Sequence, residues 1–297
     1  MKRKMLYALI ACLISIGASS QKFTDPIIGE DVIFEEINGL LAVEAEYFYK
    51  QSKTEIRQWY RTSKNELPNV GRDEDGPHIK NAGNNAYLEI LPDTRVTHAD
   101  VLTGGINFSN TAGEMAFLHY KVKINNPGRY YVWVRAFSTG GEDNGLHVGL
   151  NGEWPETGQR LQWCDGKNTW HWESKQRTEE VHCGEPYLIY LDIKKAGIHE
   201  ITFSMREDGF EFDRFLLTNE KEYVPEGIGP DVKITSGKLP KEFPVVLENP
   251  SHKKSFLYAI ETSLPGTQLI RAANIPVEGT NFYIDGSWLA INPDQHK

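Results

Sequence analysis

Apolar and polar positions alternate in short runs through the middle of the chain, and turn-forming residues separate the runs. Tyr87–Leu91 stops at Pro92. Ala116–Ile124 stops at Asn125-Asn126-Pro127-Gly128, where the fixed φ of proline and the freedom of glycine favour a turn. The clearest run is Arg129–Phe137. Tyr131, Trp133, Arg135 and Phe137 share one face of it, and Tyr130, Val132, Val134 and Ala136 the other. Leu146–Leu150, Gln159–Cys164, Leu188–Ile193, His199–Met205 and Phe212–Leu217 follow, punctuated by Asn151-Gly152, Asp165-Gly166, Ala196-Gly197 and Asp208-Gly209. No helix of ordinary length interrupts them. The pattern predicts an all-β protein: an antiparallel β-sandwich (jelly roll) with long loops and a short C-terminal extension.

The same pattern sets the expected boundaries. Residues 21–39 read as an N-terminal extension, and the sandwich runs over 40–220, opening on the partly alternating Leu40–Phe48. Residues 51–84 are polar and read as a surface excursion, with a short helix expected around Glu55–Tyr60. Residues 221–250 read as a linker, because five prolines fall between Tyr223 and Pro250. Residues 251–297 form a short β-containing region with candidate strands at Ser255–Ile260 and Asn281–Ile284. That region is too small for a comfortable core of its own, so it either packs on the sandwich or belongs to a longer unit.

The first residues carry a different signal. Met1-Lys2-Arg3-Lys4, the apolar Leu6–Ala18 and the small residues Ala18-Ser19-Ser20 make residues 1–20 a secretory signal peptide. Leu9-Ile10-Ala11-Cys12 also resembles a bacterial lipobox, the alternative in which Cys12 carries a lipid. The expected location is secreted, periplasmic or at the outer surface. No later stretch reaches the length of a transmembrane segment. Export leaves Cys164 and Cys183 in an oxidising compartment, 19 residues apart, and a disulfide between them is expected. The alternative is two unpaired cysteines in a large domain.

Charge narrows the partners. The chain has 32 Lys+Arg against 41 Asp+Glu, a net −9 that becomes −12 without the three cations of the leader. An acidic chain with no basic block is a poor nucleic-acid binder.

Several motifs resemble a known family in content and order. They are Val43-Glu44-Ala45-Glu46, the turn Asn126-Pro127-Gly128-Arg129-Tyr130, and the strand Tyr131-Val132-Trp133-Val134-Arg135. Gly197-Ile198-His199-Glu200-Ile201 and Asp213-Arg214-Phe215-Leu216-Leu217 complete the set. They resemble the non-catalytic carbohydrate-binding modules of the β-jelly-roll, galactose-binding-like type found in bacterial polysaccharide-degrading systems. The resemblance spans about residues 40–220, with insertions at 51–84 and 151–183. It implies binding of a polysaccharide or oligosaccharide without cleavage, beside other domains or enzymes of such a system. It also implies a structural calcium, held by an acid of the first strand and an aspartate near the last; Glu44, Glu46 and Asp213 occupy those positions. Calcium takes several oxygen ligands, which these carboxylates can supply. The alternative is a set of solvated edge carboxylates.

Sugar rings are bound by flat aromatic faces, and their hydroxyls by amides and charged groups. The densest such set is Trp163, Trp170 and Trp172, with Asp165, Lys167 and Asn168 between them. A contact role for this loop stands against its being a hydrophobic cluster that packs the loop on the sheet. Asp143 and Asn144, in the turn Gly140–Gly145, are a second ligand-binding candidate or a plain turn. Trp133 is expected in the core, and His119, His147 and His199 in packing or structural hydrogen bonds rather than metal ligation. Asp73, Asp75 and Gly76 form an acidic loop without the order of an EF-hand. Arg206-Glu207-Asp208-Gly209 reads as a solvated turn.

No residue is singled out as catalytic. A glycoside hydrolase or polysaccharide lyase using carboxylates of the insertion loops is the principal alternative, since a pair of carboxylates is the minimum apparatus of a glycosidase. A structural or interaction module of a surface protein is the third.

Overall fold

The structure, a computed structural model, describes residues 25–241 and two further strands at 282–285 and 288–291. The leader at 1–20, Cys12 and the candidate strand Ser255–Ile260 lie outside the described residues. The chain divides into two compact units, the larger being residues 21–246.

In chain order the strands of the larger unit are β1 Ile33–Glu35, β2 Leu40–Glu44, β3 Lys50–Ser52, β4 Gln58–Ser63, β5 Ala86–Leu91, β6 Phe117–Ile124, β7 Gly128–Phe137 and β8 Gly145–Leu150. They continue as β9 Leu161–Gln162, β10 His171–Glu173, β11 Lys175–Gln176, β12 Glu185–Pro186, β13 Tyr190–Ile193, β14 Gly197–Met205, β15 Glu211–Thr218 and β16 Ile234–Ser236. One sheet has nine strands, ordered β12-β11-β9-β8-β14-β6-β1-β16 with β3 also on β6; the other has seven, ordered β10-β7-β15-β5-β4 with β13 on β7 and β2 on β15. Pairing is antiparallel except between β1 and β6. The fold is the expected all-β sandwich. In the smaller unit, β17 Phe282–Asp285 and β18 Trp288–Ile291 pair as an antiparallel hairpin.

Alternation explains the core. Tyr130, Val132, Val134 and Ala136 of β7 point inward with Ile201, Phe203 and Met205 of β14. Phe203 meets Phe212 and Phe215 of β15 at 4.9 Å between ring centres. One residue breaks the phase of β15: Phe212 pairs with Ala136 and Arg214 with Arg135, so Asp213 is an extra residue, a β-bulge. Glu211 and Arg214 therefore lie opposite Phe137 and Arg135, on the outward face of the seven-stranded sheet.

Three expectations are corrected. The helix around Glu55–Tyr60 is absent, and β4 pairs with β5 there. Trp59 is driven into the core by its area, and its Nε1 donates to the Ala116 carbonyl at 2.8 Å. Trp133 is half-buried, not core, because it shares the outward parity of Arg135. Arg206, Glu207 and Asp208 are buried rather than solvated. Asp208 accepts from Arg57 at 3.0 Å and from the Thr94 backbone at 2.8 Å, and Glu207 accepts from the Asn144 backbone at 2.9 Å.

Among the described residues no helix is long and apolar enough to cross a membrane. Cys164 and Cys183 are disulfide-bonded, with 5.4 Å between their Cα atoms. His147 donates from Nε2 to the Ser109 carbonyl and accepts at Nδ1 from the Arg160 backbone, the pattern of a neutral ring.

Candidate functional site

The polar excursion after β4 lies along the outward face of the seven-stranded sheet. Its start is held by Arg61 and Glu66, a fully buried ion pair in which Nη2 donates to Oε1 at 2.8 Å. Farther on, the Arg72 guanidinium bridges Glu74 and Asp100, at 2.6 and 2.7 Å. The His78 ring stacks on Phe137 at 3.7 Å, its backbone N–H donates to the Tyr87 hydroxyl, and its carbonyl accepts from Trp170 Nε1 at 3.0 Å. Gly83 then donates to the Asp213 carboxylate at 2.6 Å and returns the chain to β5.

Between this loop and the sheet lies a cavity of about 170 Å³, lined by Thr62, Leu67, Asp73, Asp75, Tyr87 and Glu89 among others. Glu89 stands at the middle of β5 and Glu211 at the start of β15, paired across the ladder, so both carboxylates project to the covered outward face. The ligand oxygens of Asp73, Asp75 and Glu89 all lie within 4.8 Å of one another. Carboxylate oxygens of Asp75 and Glu211 and a ring nitrogen of His78 form a second such group. His78 Nδ1 is 2.7 Å from Glu211 Oε1, while Glu211 Oε2 and Asp73 Oδ1 are buried without a hydrogen-bond partner.

Crowded acids resist ionisation, most of all where, as at Glu89 and Glu211, they are also buried. Burial, then the charges of Asp73 and Asp75, hold the Glu89 carboxyl well above the usual range. Glu211 is raised likewise by burial and by Glu89. Asp75 is pushed up to about 7 by burial and by Asp73. Burial also lowers His78 below an ordinary imidazole. The site can relieve this stress by holding protons or by holding a divalent cation. The all-oxygen group suits a hard ion, whereas the group with His78 offers a nitrogen ligand.

The expected calcium ligands are arranged differently. Asp213 accepts from Arg135 at 2.5 Å, Glu44 is paired with Arg214 at 3.0 Å, and Glu46 accepts from Asn84 at 3.0 Å. Their donor atoms do not form a group of the kind found at Asp73, Asp75 and Glu89. The set is a buried network in which two guanidiniums supply the positive charge, and it does not fit a calcium ion as it stands. One buried oxygen of Glu46 has no hydrogen-bond partner, and burial with the Glu44 charge keeps that carboxyl well above its ordinary value.

The tryptophan loop does not offer the expected platform. Trp163 is 1% exposed and packs on Phe210 at 5.0 Å, and Trp172 is 7% exposed beneath Gly227, whose carbonyl accepts from its Nε1. Trp170 meets Tyr87 and Phe137 edge-on, at 5.3 and 5.5 Å, and buttresses the His78 segment. Asp143 is used by its own turn, accepting from Ser138 Oγ, Thr139 and the Gly140 backbone. Asn144 Oδ1 accepts from Gln162. These residues do not converge on one surface. Half-buried aromatics lie instead at Tyr131 and Trp133, which line a shallow pocket of about 80 Å³ with Lys175, Tyr187 and Lys221.

Glu89 and Glu211 were missed because they sit within strongly apolar strands. Their signal is the charge itself, at outward parity in runs whose neighbours are buried.

These features define an all-β sandwich with a carboxylate-lined pocket under an inserted loop. The chain is 54% identical over 302 residues to the uncharacterised protein P23 of Formosa agariphila, matching 100% of this chain and 72% of that one, and it belongs to the family of P23. No protein-family model matches it. Among solved structures it is similar to an exo-β-1,3-galactanase of Phanerochaete chrysosporium, with TM-score 0.35 and 11% identity over 61% of this chain and 30% of that one. A β-(1,4)-mannanase of Podospora anserina gives 0.33 and 13% over 66% and 31%. A family 35 carbohydrate-binding module of Clostridium thermocellum gives 0.31 and 10% over 60% and 96%. Likenesses of this extent carry no assignment of function.

Proposed function

We propose that this protein is an exported carbohydrate-handling sandwich that cleaves a glycan with the carboxylates of its inserted loop and of β5. One observation carries the reading: Asp75 and Glu89, both with raised pKa, hold carboxyl oxygens within 4.8 Å of each other at an open pocket. A carboxyl group that keeps its proton near neutral pH is a general acid, and an adjacent carboxylate is a nucleophile or base. The spacing is nearer the about 5–5.5 Å of retaining glycosidases than the wider inverting separation. Tyr87 lines the pocket but is buried, and burial with the charges of Glu211 and Glu89 holds its phenol protonated, which disfavours it as the base of a lyase. The cavity is small, about 170 Å³, so most units of a long glycan would lie outside it.

Binding without cleavage is the second reading, favoured by the three-oxygen group itself. A calcium ion there would occupy the oxygens that a general acid needs protonated, and would present open positions to sugar hydroxyls. Proton and cation compete for one site, which makes the readings separable. Polysaccharides are assayed for reducing ends, for unsaturated products and for retention on the immobilised full chain, with calcium or with chelator. Product that falls when calcium is added supports cleavage. Retention that needs calcium and yields no product supports binding alone.

A further inference from the structure

A cavity of about 680 Å³ lies among loops of the nine-stranded sheet and takes no part in the acidic pocket. Its volume is that of an ordinary ligand site. In a chain of net charge −9 it gathers three arginines, Arg160, Arg177 and Arg206, from three separate segments.

Arg206 is 2% exposed, lines the cavity and lies over the Phe108 ring at 4.9 Å. One of its terminal nitrogens donates to Glu207 at 2.6 Å and to Gln162 at 3.2 Å, while its Nε, equally buried, has no partner. Arg177 forms no side-chain hydrogen bond or ion pair among the described residues. Arg160 is partnered by Glu156 and by the Arg177 carbonyl. The guanidiniums oppose one another: after burial, the charges of Arg177 and Arg160 help to depress the pKa of Arg206. Of the acids in the lining, Glu156 is engaged by Arg160, whereas Glu179 and Glu180 are exposed. Beside the arginines stand the half-buried Phe108 ring and the Asn110 amide, groups suited to the apolar face and hydroxyls of a sugar.

We propose that this groove binds an anionic substituent of a glycan, a sulfate ester or a uronate carboxylate, clamped by Arg177 and the unpartnered edge of Arg206. Guanidinium forks match both oxyanions geometrically. The anion would supply the counter-charge that Arg177 lacks and an acceptor for the Nε of Arg206, whose other edge is already paired with Glu207. The sugar part rests on the carbohydrate reading above; the oxyanion part does not, and the groove shares no residue with the acidic pocket.

The test uses the full chain and three probes: dextran, dextran sulfate and polygalacturonate, in affinity electrophoresis at two salt concentrations. Retention of either anionic probe and not of dextran is expected, weakening with salt. Arg177→Ala should weaken it by at least about ten-fold, the value of one charge-assisted hydrogen bond. Lys233→Ala, at an exposed cation elsewhere, should leave it unchanged. Preference for dextran sulfate assigns a sulfate site, and preference for polygalacturonate a carboxylate site. Equal retention of dextran, equal loss in both variants, or no retention by a folded protein overturns the proposal. Glu89→Gln serves as the parallel variant: loss of cleavage there with anion retention intact separates the two sites.

Discussion

Asp75, carried by the inserted loop, places a carboxyl oxygen within 4.8 Å of one on Glu89, carried by the centre of β5. Asp75 is exposed and Glu89 buried, and two carboxylates at that separation raise each other's pKa. The contact ties the loop to the sheet only when a proton or a cation lies between them.

Stability should therefore rise as the solution is acidified from pH 8 to pH 5. Glu44, Glu46, Asp75, Glu89, Asp93, Glu207, Glu211 and Asp213 all have folded pKa values above their ordinary ones. Such groups bind more protons folded than unfolded, so their contribution is full below the unfolded pKa and is lost as pH rises through the folded value. The lowered imidazoles of His78, His119, His147 and His182 act in the opposite sense below about 6.5, and they are fewer. Thermal unfolding across this range measures the balance. A Tm that falls on acidification would contradict it.

Calcium should raise Tm at pH 8 and have little effect at pH 5, where protons hold the same oxygens. Glu89→Gln should remove most of that calcium response. Cleavage, if the pocket is catalytic, should fall by about two orders of magnitude or more in the same variant, with circular dichroism unchanged.

Trp163→Ala and Trp133→Ala should separate packing from recognition. The first opens a cavity beside Phe210 and should cost about 3–5 kcal/mol in urea unfolding. The second trims a half-buried outward ring and should cost less than about 1 kcal/mol while weakening glycan retention.

Replacing Asp208 by Ala should destabilise by about 3–5 kcal/mol, because Arg57 would stay buried without its counter-charge. Loss of the Cys164–Cys183 link in the double serine variant should cost about 3 kcal/mol for a loop of this length. Both values are read from urea midpoints.

The sandwich was legible wherever alternation and turn chemistry agreed, as at β7, whose inward residues match the apolar face of Arg129–Phe137. It failed at β4, because Gln58–Ser63 buries Arg61 by pairing it with Glu66, and hydropathy does not register a charge neutralised across a turn. The tryptophan loop looked exposed because its spacing is dense and polar, yet Gly227 and Phe210, distant in sequence, cover Trp172 and Trp163. The pocket was half visible. Asp73 and Asp75 stand out in a polar loop, but their convergence with Glu89 and Glu211 depends on how that loop lies on the sheet.

The extra residue in β15 gives that strand two reading frames. Before Asp213 the odd position Glu211 faces out; after it, the even positions Arg214 and Leu216 do, while Phe215 and Leu217 fill the core. Sequences aligned by unbroken alternation would pair Phe215 with outward-facing positions from that point on. A one-residue gap or insertion near Asp213 in a relative would then mark gain or loss of the bulge, and with it exchange of the whole C-terminal half of the strand between the covered outward face and the core.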